Sequence, residues 1–97
     1  MTLKPTATRY EFQRPELFAG EPMGYNYRAI AVEWRGGGTW AVTEGSGRSS
    51  VWSEKKGEWE YEPLPSSRSK AFLRRTRYPL DEALAIAERL ANEDSVA

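Results

Sequence analysis

Four tryptophans, Trp34, Trp40, Trp52 and Trp59, fall in one stretch where apolar and polar residues alternate and glycines mark the reversals. A side chain that large and stiff has to be placed in a core or against a partner, so this stretch constrains the fold more than any other. Alternation with period two is the pattern of a half-buried strand. In Tyr25–Trp34, Ile30, Val32 and Trp34 fall on one face, with Tyr25, Tyr27, Ala29 and Ala31 on the other. Gly36-Gly37-Gly38 follows, where positive φ costs little, and Thr39–Thr43 alternates again with Trp40 and Val42 together. These two segments read as a hairpin. Glu44–Ser50 reads as a flexible Gly/Ser link and Val51–Ser53 as a short strand. After a turn at Lys55-Lys56-Gly57, Glu58–Glu62 returns with Trp59 and Tyr61 on one face. Glu58, Glu60 and Glu62 take the other, expected to be the solvent side of an antiparallel sheet. Pro63 and Pro65 end the sheet, since neither donates a ladder hydrogen bond.

The flanks are simpler. Residues 1–9 read as a flexible N-terminus, and a short strand is expected around Tyr10–Phe12, followed by a loop pinned by Phe12, Leu17 and Phe18. Ser66 or Ser67 is expected to cap a helix running to about Arg75, the alternative being an extended segment through Phe72, Arg74, Thr76 and Tyr78. After Pro79, Leu80, Ala83, Leu84, Ala87, Leu90 and Ala91 match the spacing of an amphipathic helix, with Asp81 and Glu82 at its positive end. Its alanines permit close approach to a sheet. Asn92–Ala97 is expected to fray, with 93–97 a flexible C-terminus. The expectation is a single α+β domain over residues 10–92. It is an antiparallel meander of three to five strands with one or two C-terminal helices packed on one face.

Composition narrows the chemistry. The 97 residues suffice for one small core. There is no cysteine, hence no disulfide and no thiolate site, and no histidine, the commonest general base and zinc ligand near neutral pH. The expectation is no catalytic residue, no metal and no cofactor. The carboxylates of Glu58, Glu60 and Glu62 have the spacing of an ordinary strand face. Gly36–Gly38 leads into a strand rather than a helix and so is a turn, not a phosphate cradle. No apolar run is long enough to span a membrane and no secretory leader is visible, so a cytoplasmic location is the default.

Two surfaces remain as candidates for binding. The rings Tyr25, Tyr27, Trp34, Trp40, Trp52, Trp59 and Tyr61 exceed what one small core can hide, so two or three are expected at the surface. That surface suits a protein partner, or equally a homodimer interface, built on Trp34, Trp40, Trp52 and Trp59 with Arg48 and Arg74 as polar rim. The second is the basic segment Arg68, Lys70, Arg74, Arg75 and Arg77, five cations with no acid among them, against five acids and one base in residues 78–97. These cations either meet nucleic-acid phosphates or pair with Glu58, Glu60, Glu62 or the acidic C-terminal helix. A net charge of zero favours pairing.

Two resemblances bear on this. Thr76-Arg77-Tyr78-Pro79-Leu80-Asp81-Glu82-Ala83-Leu84 is similar to the strand-to-helix junction of plant ethylene-response-factor domains and phage integrase arm-binding domains. Those families put a three-stranded sheet into the DNA major groove. The likeness implies a DNA-binding alternative, although the glutamate row here would repel phosphates. Phe18-Ala19-Gly20-Glu21-Pro22-Met23-Gly24-Tyr25 and Gly57-Glu58-Trp59-Glu60-Tyr61-Glu62-Pro63-Leu64-Pro65-Ser66-Ser67-Arg68 resemble segments of small actinobacteriophage (mycobacteriophage-type) accessory proteins. That likeness implies an accessory product acting inside the bacterial host, where small domains often bind a host protein. It carries over no functional residue.

Overall fold

A computed structural model of the chain describes residues 7–12, 30–44 and 50–95. Five strands form one antiparallel sheet in chain order: β1 (Arg9–Phe12), β2 (Ile30–Trp34), β3 (Trp40–Glu44), β4 (Ser50–Ser53) and β5 (Glu58–Tyr61). A 3-10 turn (Pro65–Ser67) leads to a short helix α1 (Lys70–Thr76) and a long helix α2 (Leu80–Ser95). The α+β class read from the sequence holds, and α2 runs through Asn92 to Ser95. The loop after β1, the strand residues before Ile30 and the Gly/Ser link at 45–49 lie outside the described residues. Among the described residues, no helix is long and apolar enough to cross a membrane.

The turns form where glycine permits them. Gly36 and Gly37 reverse the chain at φ 102° and 56°, and Gly57 closes the β4–β5 turn at φ 67°. Thr39 Oγ1 donates to Gly36 O at 2.7 Å, which fixes the first reversal. β2 and β3 then pair over their whole length, from Ile30–Glu44 to Trp34–Trp40.

Strand alternation sorts the two faces. Ile30, Val32, Trp40 and Val42 pack with Ala83, Ile86, Ala87, Leu90 and Ala91 of α2, and Tyr10, Phe12, Trp52 and Trp59 close the margins of that core. Ala83 and Ala87 are fully buried, as their small size requires where a helix backbone approaches a sheet. On the opposite face Ala41 and Val51 pack with Phe72 and Leu73 of α1. The two helices thus lie on opposite faces.

A helix packed on one face of the sheet would leave the surplus rings on the other face. That is corrected: by alternation all four tryptophans share the face that α2 covers, because the aromatic residues occupy the same strand parity as the core aliphatics.

β3 and β4 are joined at Thr43–Val51, and Tyr78 fills the space where they part. Its backbone bonds to Trp40 in both directions, at 2.8 and 2.9 Å. Its hydroxyl accepts from the Glu54 N–H at 2.9 Å and shares its proton between Trp52 O at 2.9 Å and Arg75 O at 3.1 Å. Burial pushes the Tyr78 phenol up from its ordinary range. The residue acts as a pin through the middle of the sheet.

Candidate functional site

Two parts of the surface hold the predicted residues, one on each face. On the α2 face, α2 lies over β1, β2 and β3. Trp40 is therefore core, with its ring 5.7 Å from that of Tyr10, and its expected role in partner contact is corrected. Toward the outer strand the cover thins. Trp52 and Trp59 stand opposite each other, edge to face at 5.2 Å, and both are half-buried. Tyr61, next on the same face of β5, is 73% exposed. The Trp52 indole N–H donates to Glu54 Oε1 at 2.7 Å, and Arg89 of α2 grips the same carboxylate at 2.6 and 2.9 Å. Those bonds to Arg89 and Trp52 hold the Glu54 carboxyl down at about 2. The result is an aromatic strip with one ring locked in orientation. Trp34 stands apart at the Gly36–Gly38 turn, 48% exposed, with its indole N–H donating to Gly37 O at 2.7 Å. Arg48 lies outside the described residues, as do Tyr25 and Tyr27.

The opposite face holds the charges. Glu60 and Glu62, expected in solvent, are instead enclosed by α1 and its flanks, while Glu58 is exposed. Strand alternation does show that the three share a face, but only long-range pairing decides whether that face is wet. Arg75 binds Glu60 with two bonds at 2.7 Å, and Lys56 lies 3.8 Å from it. The Arg75 guanidinium holds the Glu60 carboxyl below its ordinary range. Glu62 has 6% of its side chain exposed and meets three guanidiniums. Arg35 binds it bidentately at 2.8 and 3.0 Å, Arg77 donates at 2.6 Å, and Arg68 lies at 3.7 Å while its Nε–H donates to Pro63 O. Burial alone would push the Glu62 carboxyl up, but Arg35 and Arg77 together outweigh it and hold the group below the ordinary value. Arg75 and Arg77 also stand over the Phe72 ring, at 5.5 and 5.8 Å.

Of the five cations in the basic segment, Arg68, Arg75 and Arg77 are therefore tied to carboxylates of β5 and the turn after it. Lys70 and Arg74 are exposed, and neither has an ion pair among the described residues. Arg35 was missed as a partner of this cluster. Its place just after a strand parity that ends in Trp34 gave no signal that it would reach a residue 27 positions away. Among the described residues no group of three acidic side chains is arranged to hold a metal ion. Comparison with family models, with curated proteins and with solved structures gives no match to this chain.

Proposed function

We propose that this chain is a non-enzymatic binding module that captures an extended protein segment along the outer strand β5. Trp52, Trp59 and Tyr61 would receive apolar side chains on one face, and the exposed Glu58 would meet a cation on the other. The observation that carries this reading is the exposed Tyr61 ring, next to the half-buried Trp52–Trp59 pair on the last strand of the described sheet. An outer strand offers backbone donors and acceptors to an added strand, while alternate side chains set specificity.

Glu58 is the carboxylate of that row left open to a partner, since Glu60 is held by Arg75 and Glu62 by Arg35 and Arg77. A segment with apolar residues on one face and a Lys or Arg opposite Glu58 complements both faces at once. A cytoplasmic setting, in a host cell if the phage resemblance reflects origin, suits a chain without cysteine.

The test is a titration with a synthetic peptide of alternating valine and lysine, followed by tryptophan fluorescence, beside a scrambled peptide of equal charge. Saturable binding of the alternating peptide alone is expected. Tyr61→Ala should weaken it about tenfold, in line with loss of a central aromatic contact, and leave the melting temperature unchanged. Equal binding of both peptides, or an unaffected Tyr61→Ala variant, would refute the reading.

A further inference from the structure

Beside α1, on the face away from the aromatic strip, lies a groove of about 520 Å³ walled by Arg35, Arg68, Arg74 and Arg77, with Thr39 and Leu73 completing its sides. We propose that this groove is an oxyanion site that takes a phosphoryl group.

Charge is the first argument. Three guanidiniums converge on the single carboxylate of Glu62, which leaves an excess of two positive charges, and Arg74 at the rim adds a third. One arginine would neutralise Glu62. Gathering two more at a half-buried place is unfavourable unless something else carries the balancing charge. The strain registers on Arg77, whose side chain is 9% exposed. Burial pushes its guanidinium below the ordinary range; Glu62 pulls the other way, and Arg35 and Arg68 add to the lowering.

Hydrogen bonding is the second. Each guanidinium has five N–H donors. Among the described residues Arg35 makes three hydrogen bonds, Arg77 three and Arg68 one. That is seven bonds for fifteen donors, so the set offers more donors than the acceptors described around it engage. A carboxylate such as Glu62 has about four acceptor sites, too few for the set. A second anion with several oxygens supplies the missing acceptors.

Preorganisation is the third. Glu62, Pro63 O and the Thr76 oxygens fix three of the four guanidiniums in place before any ligand arrives, which lowers the ordering cost of binding. Arg forks match the tetrahedral oxygens of phosphate and bind them with strong, charge-assisted bonds. A dianion also matches the surplus charge better than a monocarboxylate.

The phosphoryl group could be free phosphate or part of a polynucleotide backbone, and the experiment separates these. 15N-labelled protein is titrated with inorganic phosphate and, separately, with a 12-nucleotide oligothymidylate, each at fixed ionic strength maintained with chloride. For free phosphate, saturable shifts at the Arg35, Arg68 and Arg77 Nε–H and at the Leu73 amide are expected, with Kd on the order of 1 mM. Arg74→Ala should weaken binding about fivefold with an unchanged melting temperature, since Arg74 makes no ion pair among the described residues. Arg74→Lys should restore part of the loss. Should the natural source be a polynucleotide, the oligothymidylate perturbs the same resonances, binds tighter than phosphate and loses affinity steeply with salt.

The proposal fails if neither ligand gives saturable shifts at the groove. It fails equally if the shifts match those from chloride alone, or if Arg74→Ala and Arg68→Ala both bind as the parent does. Tyr61→Ala should leave phosphate binding intact, so this site and the aromatic strip stand or fall separately.

Discussion

At the residue scale, Glu62 is the most connected side chain described. It joins Arg35 after β2, Arg68 after the 3-10 turn and Arg77 between the helices, so one carboxylate ties four parts of the chain. Glu62→Gln keeps the shape and removes the charge, leaving three guanidiniums enclosed without a counter-ion. Breaking a buried charge cluster in this way costs about 3–5 kcal/mol, to be read as a drop in the denaturation midpoint. A loss below about 1 kcal/mol would show that solvent already screens the cluster. Phosphate should recover more of the loss than chloride at equal ionic strength, because it can stand in for the missing carboxylate. Tyr61 and Trp59 make the opposite case. Adjacent positions on one strand face differ in exposure, so truncating Trp59 should cost stability where truncating Tyr61 does not.

At the element scale, α1 is the piece that would not exist alone. Seven residues are far short of what an isolated helix needs, so its stability comes from docking and from its cap. The Ser69 hydroxyl accepts from the Phe72 N–H at 3.0 Å, and Phe72 is buried against Ala41 and Val51. Ser69→Ala should therefore lower stability by about 1 kcal/mol in a urea titration, whereas Ser66→Ala and Ser67→Ala should be neutral. The cap is Ser69 rather than Ser66 or Ser67, and for a physical reason. Three serines in four positions are equally good caps locally, and the choice is made by the 3-10 turn at Pro65–Ser67 and by Arg68 bonding back to Pro63 O.

The elements that were legible owe it to periodicity and glycine. The alternation around Trp40 and Val42, the reversal at Gly36–Gly38 and the spacing from Leu80 to Ala91 each show within one window of sequence. The charge cluster was half legible: a net charge of zero favoured pairing of the 68–77 arginines with the glutamates of β5 and just after it, as Arg75 and Arg77 show, but no local pattern links Arg35 to Glu62 across 27 residues. The candidate strip was half legible: ring excess pointed to exposed aromatics, but only α2's placement decided that Trp40 is covered and Tyr61 is not.

At the scale of the whole molecule, balance of charge hides segregation. Fourteen basic and fourteen acidic residues cancel, yet cations crowd around α1 while α2 carries Asp81, Glu82, Glu88, Glu93 and Asp94 against Arg89. The absence of histidine and cysteine gives a second global property. Between about pH 5.5 and pH 8 only an α-amino group would titrate at its ordinary value, so the thermal midpoint should be level across that range. The acid limb follows from Glu54, Glu60 and Glu62, all held below the ordinary 4.5, Glu54 at about 2. A depressed carboxyl contributes stability that is complete above its unfolded value and is lost as pH falls through its folded one. Stability should therefore decline progressively below about pH 4.5. A slope between pH 6 and 8 would contradict this account.

The position of Tyr78 bears on the order in which such a molecule can be made. Because a residue late in the chain seals the seam between two earlier strands, synthesis delivers a half-closed object first and its fastener afterwards. Ribosome-held chains that display only residues up to Thr76 should be cut readily by protease. Resistance should set in once Tyr78 and the segment behind it have cleared the exit tunnel.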